Sequence, residues 1–407
     1  MGSAFVAKGL VVRHVSTEGS KANPLWMYCT LSGTVSLGYG SIYTLLADLR
    51  DKYHFSEAQL GLIAGAGFMA GLLAQLFLAR LADRGRAAAM VRGGLIAATV
   101  AMLASSIATQ FWAFLISRIL LGLGSGAVSP AIRRIVVNAS ADKLGANLGR
   151  LAAFEISGFV LGPLVAAVAA QLFGLHAPFL FLAVVFFAAL ISCSWLSLSA
   201  GPRSDEPRVI RRLLNVPAMR AALASCVAFY VTIGTFEAVW AILLRDHGAS
   251  TWLIGLTLSL FTVPMIFLAP VGGRMSQRRG PMRVAAVSIT VATACTFSYG
   301  ALPSLWMLLG VSLIHAFADS FTLPANQVAA AMAAPPGDAS SGQGLLGATG
   351  LAAAGISGLA SGYVYEHLGR AALFAGTAAV MACFLALALV FSKEVLRPVP
   401  AEALNVP

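Results

Sequence analysis

Twelve apolar runs, set six and six about one polar stretch, constrain this chain more than any other feature. The first six fall near 25–47, 58–79, 87–108, 111–137, 146–173 and 177–199. The second six fall near 219–244, 252–272, 283–302, 304–332, 343–366 and 371–392. Each approaches the ~20 residues a helix needs to cross a hydrocarbon core about 30 Å thick. In lipid the backbone must satisfy its own polar groups, and unbroken apolar runs of this length do so as helices. The expected fold class is therefore an all-α membrane protein, with twelve transmembrane helices in two six-helix bundles. The expected division is a tail at 1–23, a bundle at 24–199, a linker at 200–218, a bundle at 219–392 and a tail at 393–407. The linker reading rests on Gly201–Arg220, where Arg203, Asp205, Glu206, Arg208, Arg211 and Arg212 stand among three prolines.

Composition narrows the function classes. Only 11% of the 407 residues are charged, less than half of the ~25% usual in soluble domains. Mean hydropathy is +0.84. These values exclude a soluble enzyme, a disordered chain and an ordinary nucleic-acid binder. The net charge of +11 has a cheaper explanation in membrane topology. Of 27 Lys+Arg, 22 lie within 1–24, 80–92, 133–150, 203–220, 274–283 and 393–397. Only Arg50, Lys52, Arg245 and Arg370 fall in the alternate segments, and Arg118 alone lies well inside a run, away from its ends. Bases collect on the cytoplasmic side, so both termini are expected there, in a bacterial inner membrane. The polar, mildly basic first 23 residues read as a cytoplasmic tail, because they lack the parts of a signal peptide. Cys29, Cys193, Cys226, Cys295 and Cys383 form no CxxC pair, so neither metal nor disulfide framework follows. They read as small buried hydrophobes.

The halves repeat one another. Arg80-Leu81-Ala82-Asp83-Arg84 recurs as Arg274-Met275-Ser276-Gln277-Arg278, and Trp112 and Pro130 recur as Trp306 and Pro324, all at a shift of 194. Leu49-Arg50-Asp51 recurs as Leu244-Arg245-Asp246 at 195, and Ile156-Ser157-Gly158 with Gly162 as Ile356-Ser357-Gly358 with Gly362 at 200. Four matches in order mark a duplicated six-helix unit. Six is even, so both copies run the same way through the bilayer and are related by an axis along its normal, as in one class of transporters.

These motifs resemble the major facilitator superfamily over essentially the whole chain, and most nearly its twelve-helix drug and metabolite:proton antiporters. Gly273-Arg274-Met275-Ser276-Gln277-Arg278-Arg279-Gly280-Pro281 is similar to the family's G-x-L-a-D-R-x-G-r loop. The first copy, Ala79-Arg80-Leu81-Ala82-Asp83-Arg84-Gly85-Arg86, keeps the acid but has Ala for the leading Gly and lacks one residue before Gly85. The resemblance implies a cytoplasmic gate at Asp83, Arg84, Arg86, Gly273, Arg274 and Arg278. Asp83 would sit at a facing helix N-terminus, where an anion is favoured, and Arg84 and Arg86 would latch the halves when the carrier opens outward. Topology-setting charge alone is the other reading. Gly158, Gly162 and Pro163 resemble the G-x-x-x-G-P element of the antiporters, although Ala166 and Ala167 replace its later glycines. Small residues four apart admit a close neighbouring helix, and an internal proline permits a kink.

Charges inside the runs point to mechanism. A mid-bilayer charge is costly and normally faces a cavity or partner. Arg118, in Arg118-Ile119-Leu120-Leu121-Gly122, looks like the buried arginine of the family's helix 4 and is expected at the substrate cavity. Of sixteen acids, only Glu155, Glu237 and Asp319 lie well inside runs. Burial penalises the charged carboxylate, so each is a candidate for carrying a coupled proton. His315, four residues before Asp319 and on the same helix face, joins them as a relay candidate. None of the three acids has an acidic repeat counterpart: Glu237 aligns with Tyr43, Asp319 with Ser125 and Glu155 with Gly355. Tyr39, Tyr43, Tyr230, Phe236 and Trp240 are candidate cavity aromatics, suited to a lipophilic or cationic guest, or else an interfacial belt.

The function expected is secondary active transport by alternating access, as proton-coupled efflux of a small lipophilic or cationic compound. Proton-coupled or facilitative uptake, and lysolipid or metabolite export, by the same fold stay open. A membrane-embedded enzyme is not expected, because one intramembrane histidine and no acid-rich cluster supply no nucleophile–base or metal constellation, and a pure receptor or scaffold is disfavoured. No GxxxxGK[ST] loop occurs, which disfavours ATP-driven pumping. The partners expected are substrate, protons and the lipid bilayer, without nucleic acid, metal or cofactor, and the chain is expected to act as a monomer.

Overall fold

The computed structural model describes residues 25–83, 86–139, 144–196, 209–335 and 339–392. For 79–83, 137–139, 144–146, 148–149, 209 and 339–340 it describes the backbone alone. The first half holds α1 (Leu25–Tyr53), α2 (Glu57–Asp83), α3 (Ala87–Ile107), α4 (Phe111–Ala139), α5 (Leu144–Phe173) and α6 (Ala177–Ser192). A short α7 (Val209–Leu214) leads into the second half. There follow α8 (Pro217–Asp246), α9 (Thr251–Arg279), α10 (Pro281–Tyr299), α11 (Leu305–Ala333) and α12 (Ala339–Phe391).

Among the described residues, ten helices are long and apolar enough to cross a membrane. The last of these, Ser341–Phe391, has 51 residues. At 1.5 Å per residue it would measure about 77 Å, more than twice the core thickness. Gly369, at φ 81 and ψ 171, breaks it, so α12 makes two crossings joined by a backbone conformation that glycine adopts without strain. α1 has 29 residues and is less apolar, because Ser, Thr, Gly and Tyr punctuate it. With α1 and the divided α12, the bundle has the twelve crossings expected. Residues 25 and 392 then lie at one end, and the loops at 54–56, 108–110, 247–250 and 300–304 at the other, called here the far end.

The linker departs from expectation. Part of it is helical, as α7, and α8 begins within it at Pro217. The local pattern explains this: Leu213 is fully buried in a cluster with Met219, Ala222 and Met282, and Pro217 occupies the first turn of α8, where its missing N–H costs nothing. The cysteines depart at one position. Four are buried, while Cys383 is exposed.

Gly158 and Gly162 do what small residues four apart allow. α5 lies directly on α1, so that a Cβ on Gly158 would strike the carbonyl of Gly33 and one on Gly162 that of Leu37. α1 reciprocates: a Cβ on Gly33 would come within 2.8 Å of the Phe154 carbonyl oxygen, and one on Gly40 within 2.9 Å of that of Phe159. Pro163 sits inside α5, and its carbonyl accepts a hydrogen bond from Thr44 Oγ1 at 3.4 Å.

The halves meet at the far end. Gly61 and Gly65 of α2 pack on Gly362, Gly358 and Leu359 of α12. On the opposite flank Gly255 of α9 packs on Pro163 and Ala167 of α5, and Ser259 Oγ donates to the Val160 carbonyl at 2.6 Å.

Candidate functional site

Between the halves lies a cavity of about 340 Å³, lined from α1, α5, α8, α9 and α11. Its walls are largely apolar and include seven aromatic side chains, Tyr43, Phe159, Phe229, Tyr230, Phe236, Trp240 and Phe261. Phe236 stacks on Trp240 with ring centres 4.7 Å apart. α8 brings Tyr230, Phe236, Glu237 and Trp240 to one wall because they recur at helical spacing. Two acids, Glu237 and Glu155, line the cavity, and no base does.

Glu237 is buried, and its Oε2 has no hydrogen-bond partner. Its contact is the Tyr43 hydroxyl of α1, which in turn accepts a hydrogen bond from Arg118 Nη2 of α4. Arg118 is 1% exposed. Its guanidinium lies 4.2 Å from the ring centre of Tyr39 and 4.8 Å from that of Tyr43, and Nη1 donates to the Tyr39 carbonyl at 3.3 Å. Gly67 of α2 leaves the room that the guanidinium fills. Arg118 and Tyr39 therefore stand one layer behind the cavity wall, and Arg118 reaches Glu237 through Tyr43. Two ring faces and a phenol oxygen let a cation persist here away from water.

Glu155 has a different environment. It accepts from Ser32 Oγ at 2.7 Å and from Arg133 Nη2 at 3.2 Å. Arg133 belongs by sequence to a solvated segment, yet the structure keeps it in α4, 22 residues from its partner and 59% exposed. Sequence reasoning left Glu155 without a base, and helical phase alone does not reveal a partner on a neighbouring helix.

His315 and Asp319 form a separate pair. Nε2 and Oδ2 lie 3.6 Å apart, with side chains 0% and 2% exposed. The His315 ring stacks on Tyr299 and meets Phe236 and Phe261 edge-on, at 5.4 and 5.6 Å. Those two phenylalanines line the cavity on their other side, so an aromatic layer separates the pair from it. Tyr299, whose hydroxyl lies 3.3 Å from His315 Nδ1, gave no sequence signal.

The far end is tied by ion pairs across the halves. Arg50 of α1 meets Asp246 of α8 at 2.7 Å, and Arg245 of α8 meets Asp48 of α1 at 2.6 Å. Arg245 also lies 3.5 Å from Asp51. Thr251 Oγ1 donates to Asp48, and Tyr365 Oη to Asp246. Nearby, Glu366 of α12 accepts from the Ala58 amide of α2 at 2.8 Å. The duplicated Leu-Arg-Asp triplets thus cross-pair, the arginine of each half meeting an acid of the other, while Arg50 also lies 3.5 Å from Asp51 and from Glu57 of its own half.

At the terminal end, Arg84 and the side chain of Asp83 lie outside the described residues. Arg86 is exposed at the start of α3. Arg274 turns back to the Pro270 carbonyl of its own helix at 3.3 Å. Gly273 faces Pro324 of α11 at a distance that leaves space. Arg278 borders a groove between α9, α10 and α11.

Comparison with known proteins agrees with this architecture. The family model for the Major Facilitator Superfamily matches residues 28–239 and 221–405. Multidrug resistance protein MdtG of Salmonella paratyphi A is 27% identical over 278 residues, covering 66% of this chain and 69% of that protein. MdtG of Enterobacter lignolyticus is 28% identical over 282 residues, covering 66% of each. Among solved structures, a bacterial homologue of the human lysosomal transporter Spinster, inward-facing and occupied, superimposes with a TM-score of 0.79 at 16% identity. It covers 93% of this chain and 98% of that one. The nucleoside transporter NupG gives a TM-score of 0.70 at 15% identity, over 91% and 99%.

Proposed function

The chain belongs to the Major Facilitator Superfamily, and we propose that it exports a small lipophilic or cationic compound in exchange for protons. It is a multi-pass membrane protein and a secondary transporter, not an enzyme. The observation that carries the export reading is Glu237. It supplies a carboxyl oxygen without a partner to an aromatic cavity that no base lines. Such a group can neutralise a cationic guest or hold a proton, but not both at once, and that exclusion is the requirement for exchange. Arg118, through Tyr43, would steady the carboxylate when both guest and proton are absent.

The charge asymmetry supports a cytoplasmic position for both termini, in a bacterial inner membrane. The far end then faces outward, and its ion pairs close the outer gate. The cycle begins with substrate entering from the cytoplasm. Opening the far end requires those pairs to part, and the Asp83–Arg86 and Gly273–Arg278 segments to approach in their place. Protonation of Glu237 from outside then releases the substrate. A monovalent cation exchanged for one proton moves no net charge, so the pH gradient alone drives it, at about 1.4 kcal/mol per unit. A neutral compound would also use the membrane potential, about 2.3 kcal/mol per 100 mV. Similarity to the MdtG multidrug resistance proteins supports drug-like cargo.

The test is transport of tetraphenylphosphonium in proteoliposomes under an imposed pH gradient. Wild type is expected to accumulate the cation against its gradient, with Glu237→Gln abolishing accumulation while leaving the protein monodisperse. Accumulation at the wild-type rate by Glu237→Gln refutes the assignment of Glu237. Wild-type transport that ignores the pH gradient refutes proton coupling.

A further inference from the structure

We propose that the groove between α9, α10 and α11 holds an anionic phospholipid. The groove encloses about 690 Å³ and carries Arg278, Arg279 and Arg283 at one end. Gly280, at φ 91, reverses the chain between α9 and α10. Two arginines from the last turn of one helix thereby join one from the first turn of the next. No acid lines the groove, and none of these three arginines pairs with an acid among the described residues. α10 adds to the positive field, since its N-cap is Gly280, with no side chain to cap its first turn. Helix N-termini favour phosphate.

Apart from Ser288 the rest of the groove is apolar, and it shares no lining residue with the central cavity. Val287, Ile314 and Phe317 are 69%, 54% and 52% exposed. Arg283, Val287 and Val291 succeed one another every four residues, so one face of α10 passes from cationic to aliphatic. The arginines lie at the terminal end of the bundle, where headgroups would be, and the valines lead toward the bilayer centre. A free anion would engage only the arginines. A phospholipid engages both parts, with its phosphodiester on the guanidiniums and an acyl chain along Val287, Ile314 and Phe317.

Native mass spectrometry of the full chain released from detergent tests this, with phosphatidylglycerol and phosphatidylcholine of identical chains as probes. Phosphatidylglycerol is expected to bind in preference to phosphatidylcholine. Arg279→Gln with Arg283→Gln is expected to weaken it on the order of 25-fold, from about 1 kcal/mol per base at 1.4 kcal/mol per tenfold. Val287→Trp, which keeps the arginines and fills the groove, is expected to reduce the same adduct. Equal binding of the two lipids, or indifference of phosphatidylglycerol to the arginine variant, overturns the proposal. So does displacement of phosphatidylglycerol by equimolar inorganic phosphate, or full binding by Val287→Trp. Unchanged thermal unfolding of each variant in detergent confirms that folded protein is compared.

Discussion

Removing one arginine from the far-end lock should shift the balance between the two gate states. The perturbation is Arg50→Ala, which deletes the 2.7 Å pair with Asp246. A charge-assisted hydrogen bond contributes about 1.5–3 kcal/mol. The pair is partly open to solvent, at 19% and 37% side-chain exposure, so screening reduces this to about 1–2 kcal/mol. Open and closed populations should therefore change by roughly 5- to 30-fold. Arg245→Ala should do at least as much, since Arg245 meets Asp48, Asp51 and Thr251. The assay is pulsed electron–electron spin resonance between labels at Gln110 and Ala301, exposed far-end sites in opposite halves, with the natural cysteines replaced. Each alanine variant should move population from the short distance to a longer one. Arg50→Asp combined with Asp246→Arg should return it. If the single variants keep the wild-type distribution, the pairs are surface ornaments and not a gate. If the singles shift it but the exchanged pair does not restore it, the effect belongs to local unfolding.

Two further outcomes follow from the geometry. Tyr43→Phe removes the hydroxyl between Arg118 and Glu237; at about 1.4 kcal/mol per tenfold, and about 1–3 kcal/mol for an orphaned buried partner, proton-driven efflux should fall roughly tenfold or more while expression stays normal. Gly158→Ala presses a methyl into the Gly33 carbonyl and should cost about 1–3 kcal/mol of stability, read as a lower unfolding temperature in detergent, whereas Gly310→Ala, whose methyl would meet no neighbouring element, should not lower it, since alanine favours the helix.

The repeat shows how far residue order can go. A shift of 194 aligns Glu237 with Tyr43, and the structure sets these two against each other. A shift of 195 aligns Arg50 with Arg245, and they cross-pair with each other's acids. Residues equivalent by duplication meet where the pseudo-symmetry axis passes, so the alignment located the interface without showing the bonds. Other features left no such trace. Arg133 looked like loop charge until α4 carried it beside Glu155. His315 and Asp319 were legible as an i, i+4 pair, but Phe236 and Phe261, which wall them off, come from α8 and α9. α7 was obscured because its apolar residues sit among arginines and prolines, and the burial of Leu213 depends on α8 and α10.

Order along the chain was enough to establish the membrane-crossing helices and their number, the internal repeat and the burial of Arg118, Glu237 and Asp319. Those follow from the bilayer itself, which demands ~20 apolar residues per crossing and makes every intramembrane charge conspicuous. Tertiary packing decided which charges act together. It gave Glu155 a base, kept Arg118 behind a tyrosine, shut His315 and Asp319 behind aromatic rings, and joined Arg50 to an aspartate 196 residues away. Helical phase fixes which way a side chain leaves its own helix. What it meets there depends on the rotation and depth of the neighbouring helix, set by packing such as the glycine contacts of α1 with α5 and of α2 with α12.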